Sequence, residues 1–310
     1  MKVMIMFPGQ GPQFPGMLHQ LPEVSSTIYL LQQASEVLGE DILSLDTQEA
    51  LVSTRAVQLC LLVSGVIHTH FLQENHITFD LSCGLSIGAF AAAVSCGALA
   101  FEDALRLVSL RGELMRQAYP QGYGLMAIRG LFQNQVESII ESLSLQGEII
   151  YLANLNGEQQ FVIAGTDRAM ELAQLKAHAL GGDGRKLNVS VPSHCPLLEK
   201  SAEVLADAFK NISLKRPRYG YLSGSTARVL WKADAIADDL AWNMARQVRW
   251  SDAMVSAYQR DTRLAIELPP GSVLTSLARP VMSAGGEALA FSQQPIETLQ
   301  VLTQRYHHQR

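Results

Sequence analysis

The chain has 310 residues, of which 48% are hydrophobic and 17% charged, a composition that buries enough apolar surface to fold and excludes a disordered or stapled small scaffold. The length predicts one large α/β unit or a core carrying an insertion. A net charge of −5 with 24 Lys and Arg provides no diffuse basic field for phosphate backbones, so nucleic acid is not an expected partner.

Residues Lys2 to Phe7 read as a first core strand, followed by the loop GQGPQFPG, whose glycines and prolines forbid regular structure and let backbone approach a ligand. The apolar run is too short for a signal peptide. The apolar tract from Val57 to Ile67 is about half of the roughly 20 residues a bilayer requires, so a buried helix near Val57 to Phe71 is expected. A cytoplasmic protein with no membrane partner follows as the expectation. Thr78 to Cys83 reads as a strand, Gly84 to Gly88 as a sharp turn, and AFAAAVSCGALA as the start of a helix. Phe101 to Tyr119 has helical apolar spacing, with Glu102 and Asp103 in the first turn, where the helix dipole favours them.

The middle of the chain alternates differently. Gly124 to Arg129 is strand-like, Gln133 to Leu143 helical, and Glu148 to Ala153 a strand. After a turn at Asn154 to Gly157 come the strand QFVIAG, a helix from Asp167 to Leu180, the turn GGDG and a strand from Arg185 to Val191. The order strand, helix, strand, strand, helix, strand is that of a ferredoxin-like unit. Residues 122–191 are therefore expected to form an insertion in a larger core made of 1–121 and 192–310. That core resumes with long helices, the strand Leu264 to Leu268 and the turn PPGS, and His307 and His308 read as a polar tail.

Gly84 to Gly88 spells GLSIG, a G-x-S-x-G elbow that places Ser86 on a strained strand-to-helix turn as a candidate nucleophile. The N–H of Ile87 then points toward a developing oxyanion; a plain Gly/Ser turn is the alternative. Among eight histidines, His68, His70, His76, His178, His307 and His308 are expected to be solvated or structural. His194, in VPSHCPLL between Pro192 and Pro196, sits where the backbone is constrained and is the candidate base. Arg111 falls on the apolar face of its helix, where an unpaired guanidinium is costly. It is either snorkelling or internally paired, or it clamps a substrate carboxylate. Cys60, Cys83, Cys96 and Cys195 are scattered without metal-ligand spacing, so no metal is expected and the thiols read as reduced and mostly buried.

FPGQG at Phe7 to Gly11, GLSIG, LRGELM around Arg111, VPSHCPLL and LPPGSVLTSL from Leu268 resemble, in order and over nearly the whole chain, the malonyl-CoA:acyl carrier protein transacylases. The resemblance implies an α/β-hydrolase-like core with a parallel sheet and an inserted ferredoxin-like α+β subdomain. It implies Ser86 as carrier of the malonyl ester, His194 as base, Gln10 and Ile87 as oxyanion-hole donors, and Arg111, Asn243 and Leu85 at the substrate. It implies no permanently bound cofactor, a coenzyme A thioester as substrate and an acyl carrier protein as partner. Leu85 and Ala89 stand where the family usually has His and Glu, and Asn243 where it has Gln, a residue that orients the histidine through its backbone carbonyl. GLSIGA, YLANLNG and IADDLAWNMARQVRW look more like the acyltransferase subunit of bacterial malonate decarboxylase, with that complex's carrier and other subunits as partners. Rival readings are a patatin-like hydrolase using Ser86 with Asp183 of GGDG, and a non-catalytic subunit that docks the carrier.

Overall fold

The computed structural model describes residues 1–119 and 121–308. In chain order they form β1 (Lys2–Phe7), α1 (Ser25–Leu38), α2 (Thr54–Glu74), β2 (Leu81–Gly84), α3 (Gly88–Ser95) and α4 (Phe101–Ala118). Then come β3 (Tyr123–Arg129), α5 (Gln133–Ser144), β4 (Ile150–Gly157), β5 (Gln160–Thr166), α6 (Asp167–Ala179) and β6 (Asp183–Lys186). The chain continues through α7 (Glu199–Phe209), β7 (Gly220–Leu222), β8 (Val229–Leu230), α8 (Ala233–Trp242), α9 (Trp250–Gln259), β9 (Thr262–Glu267), α10 (Val273–Met282), β10 (Glu287–Ala290) and α11 (Ile296–His308).

The larger sheet has the order β10-β9-β1-β2-β7-β8, parallel throughout except for the β7–β8 hairpin. Its centre is β1, apolar and buried from Val3 to Phe7 because both faces are covered, as parallel sheets require. Val3, Ile5 and Phe7 pack into the layer that contains α2, α3 and α4. Met4 and Met6 face Trp250, Met254 and Leu274 of α9 and α10. Helix α2 is long and apolar enough to cross a membrane by length and composition, but its residues are mostly buried inside the protein, as in a core helix.

After α4 the chain builds a four-stranded antiparallel sheet of order β4-β5-β3-β6. Helices α5 and α6 cover one face around Met126, Ile128, Val136, Phe161 and Met170. This is the ferredoxin-like arrangement. The opposite face, with Leu125, Ala153, Val162 and Ala164, packs on Cys195 of the returning chain. That contact brings the segment carrying His194 under the small sheet.

Several expected boundaries move. Asn154 to Gly157 continues β4 instead of turning, because Asn154 bridges to Val248 and the Leu155 N–H donates to the Val248 carbonyl at 2.8 Å. The asparagines read as turn residues are thus edge-strand residues docked on the larger domain, and the hairpin lies at 158–159. The strand expected at Arg185 to Val191 is β6, which ends at Lys186. One more bond, from Leu187 N–H to the Leu125 carbonyl, closes it before the chain departs toward His194. The expected polar tail is α11, whose His307 Nε2 lies 2.9 Å from Asp80 Oδ2. The four cysteines are free and buried.

Candidate active site

The loops after the carboxyl ends of adjacent parallel strands meet, and in open α/β sheets ligands bind outside those ends. FPGQG follows β1, and the Ser86 elbow follows β2. Two glycines make the elbow possible. A Cβ on Gly84 would come within 2.0 Å of the Gly88 backbone, and one on Gly88 within 2.2 Å of the Phe7 carbonyl oxygen. Between them Ser86 adopts φ 53°, the left-handed conformation that non-glycine residues rarely accept and that marks functional turns.

Ser86 Oγ lies 2.8 Å from His194 Nε2. The tautomer follows from the other ring nitrogen. His194 Nδ1 faces the main-chain carbonyl oxygens of Asn243 at 2.9 Å and Arg246 at 3.2 Å, and carbonyls only accept. Nδ1 therefore carries the proton, and the Nε2 lone pair faces the serine hydroxyl. Burial, and then the Arg111 charge, lower the His194 pKa to about 4 against the pull of the two carbonyls, so at pH 7 the imidazole is neutral, the form that can accept a proton. His194 itself has φ 65°, and its N–H donates to the Met244 carbonyl at 2.6 Å.

Arg111 is 0% exposed. Its Nη2 donates to Asn243 Oδ1 at 3.0 Å and to Ser86 Oγ at 3.3 Å, and its Cζ lies 6.0 Å from the centre of the Phe90 ring. Nε and Nη1 are buried without a partner, and no carboxylate of the described residues forms an ion pair with it. Burial alone lowers its pKa to about 9, still above neutrality, so the site holds an uncompensated cation. Snorkelling and internal pairing are both excluded by this geometry.

Comparison with known proteins assigns the fold and its family. The acyl transferase domain family matches residues 4–305. The chain belongs to this family. A malonyl CoA-acyl carrier protein transacylase of Haemophilus influenzae is 34% identical over 289 residues, covering 91% of this chain and 92% of that protein. One from Bacillus subtilis is 33% identical over 286 residues, covering 90% of each. The solved structure of the Coxiella burnetii malonyl CoA-acyl carrier protein transacylase superposes with a TM-score of 0.91 at 31% identity, over 98% of both chains. A type II PKS acyl-carrier protein has been solved in complex with its malonyl-transacylase, and that structure matches with a TM-score of 0.85 at 31% identity over 94% of both chains.

In this acyl transferase Ser86, His194, Arg111 and Asn243 converge. Ile87 stands just ahead of the first turn of α3, where helix N–H groups have no intrahelical acceptor. Gln10 lies in the neighbouring loop, held by a bond from Gln58 Nε2 to its Oε1 at 3.3 Å. Leu85, half-buried beside Ser86, lies next to Gly9 of the FPGQG loop and packs against the apolar layer of Met4, Met6, Trp250 and Met254. Asp183 is exposed in β6, where it faces His178 at 3.6 Å, and does not approach Ser86, which removes the Ser–Asp alternative. Among the described residues no group of His, Cys, Asp or Glu could hold a metal.

Two participants escaped the sequence. The Arg246 carbonyl could not be found there, since any residue supplies one. Gln58 left a signal, a lone amide in an apolar run; it is fully buried, and its Nε2 also contacts Met115 Sδ at 3.3 Å.

Proposed function

We propose that this acyl transferase moves a malonyl group from malonyl-CoA, through an ester on Ser86, to the thiol of an acyl carrier protein. The names of its relatives support the donor and acceptor. The observation that carries the reading is Arg111, a buried cation whose Nη2 lies 3.3 Å from the nucleophile while its Nε and Nη1 have no partner. An acyl chain ending in a carboxylate satisfies it, and an acetyl chain does not.

The chemistry runs in two halves. Ser86 Oγ attacks the thioester carbonyl carbon as His194 Nε2 accepts the hydroxyl proton, and the N–H groups of Ile87 and Gln10 receive the oxyanion. The C–S bond breaks, and the departing CoA sulfur takes the proton from the imidazolium. The carrier thiol then gives its proton to Nε2 and attacks the ester, and Ser86 Oγ leaves and is reprotonated. No permanently bound cofactor is required. A non-catalytic docking subunit would have no use for a neutral histidine hydrogen-bonded to a strained serine.

Replacing Arg111 with alanine is expected to lower malonyl loading by about 10²-fold or more relative to acetyl loading, the scale of losing a buried charged partner. Lysine should not rescue it, because the planar fork is lost. Parallel single-turnover loading from malonyl-CoA and acetyl-CoA measures the ratio; an Arg111→Ala protein with the parental preference removes the clamp.

For the carrier, the relatives' names support a general acyl carrier protein. The departures at Leu85, Ala89 and Asn243 favour a second reading, the dedicated carrier of malonate decarboxylase, because Ala89, 1% exposed, adds an apolar wall beside the elbow. Malonyl-loaded protein offered both carriers in thiol form decides between them. Transfer to the fatty-acid carrier is expected to be at least as fast, and markedly faster transfer to the decarboxylase carrier would assign the second.

A further inference from the structure

The side chain that meets Arg111 is neutral. A carboxylate there would neutralise the guanidinium before any substrate arrived, and an apolar residue would leave a long flexible side chain without an anchor. Instead Asn243 Oδ1 accepts from Nη2 at 3.0 Å, on a residue only 3% exposed. The same residue's main-chain oxygen accepts from His194 Nδ1 at 2.9 Å. Asn243 caps the C-terminal end of α8, so the base and the cation are both held from the end of one helix. A planar guanidinium fixed at one nitrogen has the directions of its other donors fixed with it. The Phe90 ring at 6.0 Å flanks the same group.

We infer that Asn243 is a positioning residue for acyl selectivity: its side-chain oxygen sets the direction of the Arg111 donors, and its lack of charge keeps that cation available to the substrate carboxylate. The inference rests on the malonyl-transfer reading and adds to it a reason for an amide at this position. An aspartate of the same shape would form an ion pair with Arg111 in a site of low dielectric, and the incoming carboxylate would have to displace it. A glutamine keeps the acceptor on a longer stem. An alanine deletes the acceptor but keeps the backbone carbonyl that holds His194, so the two functions of the residue separate.

The test compares Asn243→Ala, Asn243→Gln and Asn243→Asp with the parent in loading from malonyl-CoA and acetyl-CoA, recording KM and kcat for each. Asn243→Ala is expected to raise the malonyl-CoA KM and lower the malonyl-over-acetyl preference about tenfold, the scale of one hydrogen bond to a charged group. Asn243→Gln recovers most of that preference. Asn243→Asp lowers it about a hundredfold, although it is the closest in shape. A merely structural role would reduce both donors together. Should all three variants keep the parental preference while Ser86 still takes up malonyl, the positioning role is overturned and the transferase reading stands. If the parent itself takes up no malonyl, the reading beneath it fails first.

Discussion

Exposed to malonyl-CoA, the parent protein gains one malonyl unit in intact-mass spectrometry, and Ser86→Ala gains none. The expectation follows from the elbow, which holds one hydroxyl in a left-handed turn beside a helix N-terminus and 2.8 Å from a neutral imidazole. No other serine among the described residues is hydrogen-bonded to His194. Alanine at this half-buried turn removes one oxygen and leaves the glycine contacts on either side intact, so melting behaviour should change little. A malonyl increment that survives Ser86→Ala would show that the acyl group resides elsewhere.

His194→Ala slows acylation of Ser86 by about 10² to 10⁴-fold, the usual contribution of a positioned general base. Its pH dependence carries a further signature. The base works as the neutral imidazole, and its pKa is lowered to about 4, first by burial and then by Arg111. The single-turnover rate should therefore hold as pH falls through the ordinary histidine range near 6.5 and decline only as pH falls through about 4. An acid limb near 6.5 would contradict the buried, cation-flanked geometry. Removing the neighbouring charge in Arg111→Gln should move the limb upward. The same shift bears on stability. The unfolded chain binds this proton at higher pH than the folded one, so stability contributed by the neutral buried ring is complete above about 6.5 and is lost as pH falls toward 4.

Much of the chemistry was legible because it resides in short segments. GLSIG announces its own turn: its two glycines are required by contacts with backbone a few residues away or on the adjoining strand, and the serine between them has one place to point. Arg111 could be recognised as anomalous from helical spacing alone, since Ala104, Val108 and Met115 put it on a face where all four residues are buried. His194 could only be favoured among eight histidines, because nothing local says that it stands 108 residues along the chain from its serine and yet within 2.8 Å of it.

The amino-acid sequence by itself determined the alternation of strands and helices, the insertion of an antiparallel unit into a parallel core, the nucleophile's turn and the presence of a cation needing an anion. These depend on periodicity and on local backbone strain, which neighbouring residues dictate. Only the tertiary structure decided the remainder. It showed Asn154 and Asn156 to be strand residues, because pairing with Val248 overrides their preference for turns. It placed Leu85 next to Gly9 and against the Met4, Met6 and Trp250 layer, a packing partner that its place in GLSIG does not announce. It assigned the histidine tautomer to two backbone carbonyls and the guanidinium to one neutral amide. Carbonyls carry no residue identity, and the Asn243–Arg111 pair is separated by 132 positions, so neither relation exists until distant segments of the larger core pack around the elbow.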